Sequence, residues 1–130
     1  MRFFMPNTFK KYEKLVSKKQ IDLLFSSSVS KFCYPVKLLY IVEKNSTENE
    51  KKVLFSVPKK NIKNATDRNR IKRQMREAYR KNKSNFYLRN GRINFAFIYI
   101  EKYPLDYALI ENAIIQHINK LIHIFDKEQS

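Results

Sequence analysis

Residues 66–80 read TDRNRIKRQMREAYR, and the order of apolar and basic positions in this stretch decides how the rest of the chain is read. Wound as an α-helix, Ile71, Met75, Ala78 and Tyr79 fall on one stripe, because spacings of four, three and one residues return to the same side. Such a stripe needs a second layer to cover it. Thr66 or Asp67 is the expected N-cap, since a short side chain bearing oxygen accepts from the first unpaired backbone N–H groups. Lys72, Arg73, Arg76, Arg80 and Lys83 occupy a sector of roughly 100° beside the stripe. Glu77 lies just beyond that sector, within reach of Arg73 and Lys81 at a spacing of four.

Working outward, both flanks read as strands. Val53–Val57, VLFSV, has the length of a core strand, and Pro58 ends it because proline has no N–H for a ladder. On the other side Asn90-Gly91 signals a turn. Ile93–Ile100, INFAFIYI, is too apolar for a half-wet edge and is expected at the centre of a sheet. Val36–Val42, VKLLYIV, is a further strand, rich in β-branched and aromatic residues. The polar stretch EKNSTENEKK lacks periodicity and reads as a surface loop within Ile41–Lys52.

Near the start, Phe9–Leu15 is aromatic and basic. Ser17 and Gln20 then suit a capping box for a short helix. Ile21, Leu24 and Phe25 share one face of that helix, and Ser26–Ser28 ends it. Leu105–Phe125 forms a closing helix with Ile110, Ile114, Ile118, Leu121 and Phe125 as its stripe and Asp106 as a candidate cap. The order is helix, strand or strands, strand, helix, strand, helix. That is an α+β sheet with helices packed on it. A chain of 130 residues fits one domain, 1–130, with a core of about 14–125.

The charge balance narrows function. The chain carries 27 basic and 12 acidic residues, a formal net charge of +15. That excess exceeds the roughly 2 to 8 units that keep a small domain soluble. It repels itself unless a polyanion relieves it. From Lys59 to Lys83 there are eleven basic and two acidic residues, a local net of +9, so pairing within the helix cannot neutralise the face. Arginine adds a planar fork that bonds phosphate oxygens two at a time and stacks on bases. Nucleic acid is the expected partner. Composition does not separate DNA from RNA, but no helix-turn-helix pair accompanies the basic helix. Aromatics interleave with lysine at Phe9-Lys10-Lys11-Tyr12 and from Tyr34 to Tyr40. Two or three of them are expected as surface platforms for single-stranded bases, the rest as core.

Several chemistries lack their parts. His117 and His123, six residues apart on a helix, point about 240° apart and cannot share a ligand. Both read as surface or margin residues. Cys33 is the only cysteine, so it has no internal disulfide partner; it reads as buried and inert. Asp22, Asp67 and Asp106 each sit near a helix start, where capping or first-turn placement explains them. The single glycine, Gly91, rules out a glycine-rich phosphate loop. No serine has a histidine and an acid arranged to activate it. No run reaches the roughly 18 apolar residues of a membrane span, and the start lacks the apolar core of a signal peptide. The mature chain is expected to begin near Met1, in a reducing cytoplasm. Catalysis by the protein alone is not expected, and residue types alone leave a ribosomal or chaperone-like RNA-binding module open.

Arg68-Asn69-Arg70-Ile71-Lys72-Arg73 followed by Arg76 resembles the signature of the protein subunit of bacterial ribonuclease P. Val57-Pro58-Lys59-Lys60 and Asn64-Ala65 resemble the segment that leads into it. Ile21 and Phe25 resemble the apolar pair of the family's first helix, and Tyr40 falls where an aromatic often stands. The resemblance covers roughly Lys14–Phe125.

It implies a two-layer α+β sandwich like the second domain of ribosomal protein S5, with a left-handed crossover. It implies that an RNA subunit catalyses Mg²⁺-dependent removal of the 5′ leader from precursor tRNA. The Mg²⁺ is then held mainly by the RNA subunit and substrate. Arg68, Asn69, Arg70, Lys72, Arg73, Arg76 and Arg80 are the implied contacts to the RNA subunit. Ile21, Phe25, Tyr40, Lys59 and Lys60 are the implied lining of a leader cleft between the first helix and the sheet. The implied partners are the catalytic RNA and precursor tRNA, with no membrane and no dedicated protein partner. Three positions depart from the pattern. The loop Asn61-Ile62-Lys63 is one residue longer than in many relatives. Ser28 stands where glycine often follows the first helix. Glu101 stands where a basic residue often ends the last strand.

Overall fold

A computed structural model describes residues 13–43, 50–86 and 91–129. The aromatic and basic residues 9–12, the centre of the polar loop at 44–49, Asn90 and the side chain of Phe125 lie outside the described residues. The elements are α1 (Lys18–Ser27), β1 (Val29–Cys33), β2 (Val36–Glu43), β3 (Glu50–Ser56), α2 (Ala65–Asn82), β4 (Arg92–Tyr99) and α3 (Tyr107–Gln129). A single 3₁₀ turn, Lys83–Asn85, follows α2.

The four strands form one sheet in the order β1-β2-β4-β3. β4 is central, as its continuous apolar run requires, antiparallel to β2 and parallel to β3. The parallel pair is joined through α2, so the basic helix is the crossover of a β3–α2–β4 unit. β1 and β2 form a hairpin with Tyr34 and Pro35 at its turn.

Period-two alternation gives the sheet two distinct faces. Val36, Leu38 and Tyr40 of β2, Val53 and Phe55 of β3, and Ile93, Phe95, Phe97 and Tyr99 of β4 meet α2 and α3 in the main core. Tyr79 of α2 packs among Phe55, Phe95 and Phe97, with ring centroids 5.8 to 6.0 Å from its own. On the opposite face Leu39, Ala96 and Ile98 pack with Leu15 and Leu24, beneath α1. The sandwich of sheet and two long helices is thus flanked by a short third helix on the other side.

Two expectations change at the strand ends. The polar stretch after Val42 is shorter as a loop than it reads, because β2 runs through Glu43 and β3 starts at Glu50. Both acids register with Arg92 of β4 and pair with its guanidinium, Glu50 at 3.1 Å and Glu43 at 3.9 Å. Charged residues extend these strands because their partners sit directly across the ladder.

The outer edge of β3 is covered by the chain before α1. Lys14 bridges Val53, and Leu15 N–H donates to the Val53 carbonyl at 3.0 Å. Glu13 is buried there against Lys83, whose Nζ lies 2.6 and 2.8 Å from the two carboxylate oxygens. Lys83 therefore leaves the basic face predicted for it and locks the first described residue onto the turn after α2.

His117 also moves inward. It is fully buried on α3, its ring 6.0 Å from Phe97, with Nε2 2.6 Å from the Val36 carbonyl oxygen. The expected surface position fails because residue 117 falls within the stripe of Ile110, Ala113, Ile114, Ile118 and Leu121, all buried. His123 stays exposed, and Cys33 is half-buried at the margin of the main core.

Candidate nucleic-acid interface

The basic helix is anchored from its first turn. Asn64, not Thr66 or Asp67, is the N-cap: its Oδ1 accepts from Thr66 N–H at 2.8 Å and from Asp67 N–H at 3.4 Å. Starting the helix at Ala65 puts Asp67 in the first turn, where its charge suits the positive helix end. Ile71, Met75, Ala78 and Tyr79 are all fully buried, as their stripe predicts.

The loop before α2 is held at several points. The Pro58 carbonyl accepts from Asn61 N–H at 3.0 Å and Ile62 N–H at 3.1 Å. Ile62 is buried in the main core. Asn61 Nδ2 donates to the Tyr99 carbonyl at 3.2 Å. Arg68 then reaches back, and its Nη1 donates to the carbonyls of Ile62 at 2.9 Å and Lys63 at 2.8 Å. The longer loop is a closed, pinned turn. It leaves Lys59, Lys60 and Lys63 exposed.

The predicted RNA-subunit residues thus separate by surroundings. Asn69, Arg70 and Arg73 are exposed, while Lys72 and Arg76 are half-buried. Arg70 has Asp67 4.0 Å away at the surface, a weak pair. Arg76 lies over the Phe55 ring, 5.9 Å from its centroid, which stiffens a long side chain. Among the described residues no ion pair engages Lys72, Arg73 or Arg76. Arg68 spends one nitrogen on the loop. Arg80 is held by Glu77, with Nη2 at 2.5 Å and Nε at 3.1 Å from the two carboxylate oxygens. Glu77 therefore turns to Arg80 rather than to Arg73 or Lys81. That contact lowers the Glu77 pKa and raises that of Arg80.

The predicted leader-cleft residues divide as well. Ser17 caps α1 by accepting from Gln20 N–H at 3.3 Å. Leu24 is then fully buried, and Ile21 packs with it against Leu39, Ala96 and Ile98. Phe25, one turn after Ile21, keeps 50% of its surface in solvent. Lys59 and Lys60 are exposed where the chain leaves β3. Tyr40 is a correction. It is buried in the main core with Val36 and Leu38, on the face away from α1, because it is an even number of residues from both. The α1 face of β2 is built instead by Leu39 and Ile41.

Among the described residues no three His, Cys, Asp or Glu side chains converge as metal ligands, and no helix is long and apolar enough to cross a membrane. The acids nearest the basic helix, Asp67 and Glu77, face arginines. The arrangement suits binding a polyanion along α2 and an apolar or stacking ligand beside α1.

A family model described as Ribonuclease P matches residues 9–122. A ribonuclease P protein component of Porphyromonas gingivalis is 32% identical over 115 residues, covering 84% of each chain. One from Chlorobium phaeobacteroides is 39% identical over 84 residues, 62% of this chain and 58% of that one. Among solved structures, an RNase P protein of Staphylococcus aureus superposes with a TM-score of 0.67 at 21% identity, covering 89% of this chain and 99% of that one. The Thermotoga maritima protein gives 0.66 at 22% identity, covering 83% and 96%. At these identities the structures establish a shared fold.

Proposed function

The chain belongs to the ribonuclease P protein family, and from that premise we propose a division of labour between its two helical faces. Its role is that of the protein subunit that partners a catalytic RNA in removing the 5′ leader of precursor tRNA. It is part of a ribonucleoprotein enzyme whose chemistry belongs to the RNA. In our reading the α2 face grips the RNA subunit, and the α1 face with the loop after β3 takes the leader.

The observation that carries this division is the uncancelled basic row on α2. Among the described residues no ion pair engages Lys72, Arg73 or Arg76, and Arg70 has only a weak surface pair with Asp67, on a helix packed rigidly by its other side. Each phosphate such a residue meets releases counterion, so affinity depends steeply on salt. Arg68 contributes by holding the loop that carries Lys59, Lys60 and Lys63 as well as by its own charge. Asn69 is exposed beside them and can bridge through its amide. Arg80, already bound to Glu77, adds less than its place on the helix suggests.

On the other side, Phe25 offers a ring to an unstacked base, while Ile21 supports α1 from beneath. Lys59 and Lys60 neutralise backbone phosphate there, which gives little sequence preference. Magnesium, when present, supplies the nucleophile and charge stabilisation for phosphodiester hydrolysis. Among the described residues the acids do not converge on a site for it, and we assign it to the RNA subunit and substrate. The protein's own contribution is to lower repulsion between two polyanions. We place this work in the cytoplasm.

The test is precursor tRNA processing by the matching RNA subunit at low Mg²⁺, with and without the protein. We expect the protein to restore cleavage and to favour substrate with a leader over substrate without one. Phe25→Ala should weaken binding of leader-bearing substrate by roughly fivefold or more, the worth of one stacked base. No effect of added protein at any Mg²⁺ concentration would sink the reading.

A further inference from the structure

All four strands stop at one end of the sheet. β3 ends at Ser56, β4 at Tyr99, and the β1–β2 hairpin turns at Tyr34 and Pro35. The loops beyond them are tied together. Asn61 of the loop after β3 donates to the Tyr99 carbonyl, and Ile100 N–H donates to the Pro35 carbonyl at 3.0 Å. The Tyr34 hydroxyl donates to the Glu101 carboxylate, and the Tyr99 hydroxyl donates to the Tyr103 carbonyl at 2.7 Å. These bonds fix a continuous rim that runs from the start of α2, past Lys59 and Lys60, to the hairpin.

The rim exposes rings that a stable fold would sooner bury. Phe32, Tyr34 and Tyr103 keep 57%, 49% and 56% of their surfaces in solvent. Large apolar side chains grouped on a surface mark a binding site more often than chance exposure does. Phe32 registers with Lys37, which in turn registers with Ile98, so its ring stands on the α1 face of the sheet. Lys37 and Lys102 are exposed beside the rings, and the one acid among them, Glu101, is engaged by Tyr34 and by Lys102 N–H at 2.8 Å. Rings interleaved with cations on a rigid support are the elements of a platform for single-stranded nucleic acid.

We propose that this strand-end rim is a second leader site, on which Phe32, Tyr34 and Tyr103 stack bases of the 5′ leader beyond those held beside α1. Lys37 and Lys102 neutralise the phosphates between them. The occupant is the leader rather than the RNA subunit, because Phe32 and Lys37 face the α1 side, whereas the basic row of α2 belongs to the opposite layer. The inference rests on the assignment of the α1 face to the leader.

The experiment uses the reconstituted holoenzyme and precursor tRNAs carrying no leader, a short leader, or a leader longer by several nucleotides. Phe32→Leu, Tyr34→Leu and Tyr103→Leu keep apolar bulk and remove the ring face; Tyr103→Phe keeps both the ring and the carbonyl that Tyr99 bonds, and serves as rescue. We expect each leucine variant to lose roughly fivefold or more in affinity for the long leader, with the short leader unchanged and Tyr103→Phe near wild type. Thermal melts of the free variants report the fold. Equal loss on short and long leaders, or no loss on the long one, overturns the rim site. A loss confined to binding of the RNA subunit also overturns it and reassigns the rim. If the wild type prefers leader-bearing substrate but gains nothing from the longer leader, the rim fails while the α1 assignment stands. If it does not distinguish leader from no leader, the α1 assignment fails first and the rim with it.

Discussion

Along α2, the basic residues from Arg68 to Arg76 and those from Arg80 to Lys83 continue one spacing but meet different surroundings. In the first group the only acid in ion-pair range among the described residues is Asp67, 4.0 Å from Arg70 at the surface. In the second, Glu77 binds Arg80 twice, and Glu13 meets Lys83 in the interior. A helical wheel places Lys72, Arg73, Arg76, Arg80 and Lys83 in one positive sector. Glu77 of α2 takes Arg80, and Glu13 on the chain before α1 takes Lys83, so the sector divides into a half we propose for gripping RNA and a paired, structural half. Being basic is therefore not what sets the two groups apart; how closely a carboxylate is held is.

The largest expected effect breaks the structural half. Lys83→Met leaves the Glu13 carboxylate buried without its partner, which should cost about 3 to 5 kcal/mol of stability. A urea melt measures this as a lower midpoint. Replacing Glu13 by Leu in the same protein should recover most of the loss, since an apolar pair of similar size can stand in for a buried ion pair. If Lys83→Met instead leaves the midpoint unchanged and weakens RNA binding, Lys83 belongs to the gripping half.

The next effect tests the gripping half. Arg73→Ala and Arg76→Ala should each weaken binding of the catalytic RNA and lower the salt slope by roughly 0.7 to 0.9 for every phosphate the variant no longer neutralises. Arg80→Ala should lower the slope less, because Glu77 already offsets its charge. Equal slopes for all three variants would erase the division. Arg68→Ala sharpens it differently, by freeing the carbonyls of Ile62 and Lys63 and loosening the lysine loop. Affinity for leader-bearing substrate should then fall along with affinity for the RNA subunit.

A smaller effect concerns how α2 begins. Asn64→Ala removes the cap and should cost about 1 kcal/mol, read from the same urea melt. Thr66→Ala should change little, because Thr66 supplies a backbone N–H and not the capping oxygen. The reverse ranking would return the cap to Thr66.

This cap shows why some features are legible in the sequence and others are not. Asn64, Thr66 and Asp67 are all good capping residues, so local preference cannot rank them; the choice follows from where Ile62 is buried. The α2 stripe and β4 are readable because each carries an unbroken period or an unbroken apolar run. β1 does not stand out, since four of its five residues are exposed and little apolar pattern marks it. The ends of β2 and β3 read as loop because Glu43 and Glu50 find Arg92 only once the strands are aligned. Tyr40 misleads for a different reason. Leu38, Leu39 and Tyr40 are all buried, so the alternation that divides the two faces does not show in the apolar pattern. The recognisable RNR segment marks the basic helix, but not which of its arginines point outward.

His117 gives the smallest effect. Its place in the α3 stripe is a readable signal, since 110, 113, 114, 117, 118 and 121 form one face, but its polarity argues against the core. Burial lowers its pKa below the ordinary value of 6.5, opposed only in part by the Val36 carbonyl, and Lys120 adds repulsion. The unfolded chain therefore takes up a proton at a higher pH than the folded chain does. Stability from this residue is full above about 6.5 and declines as pH falls below it, until the ring is protonated in the fold as well. Urea midpoints measured across this range should show the decline in the wild type. His117→Gln, which can still donate to the Val36 carbonyl, should flatten it. An unchanged slope in that variant would place the acid sensitivity away from His117.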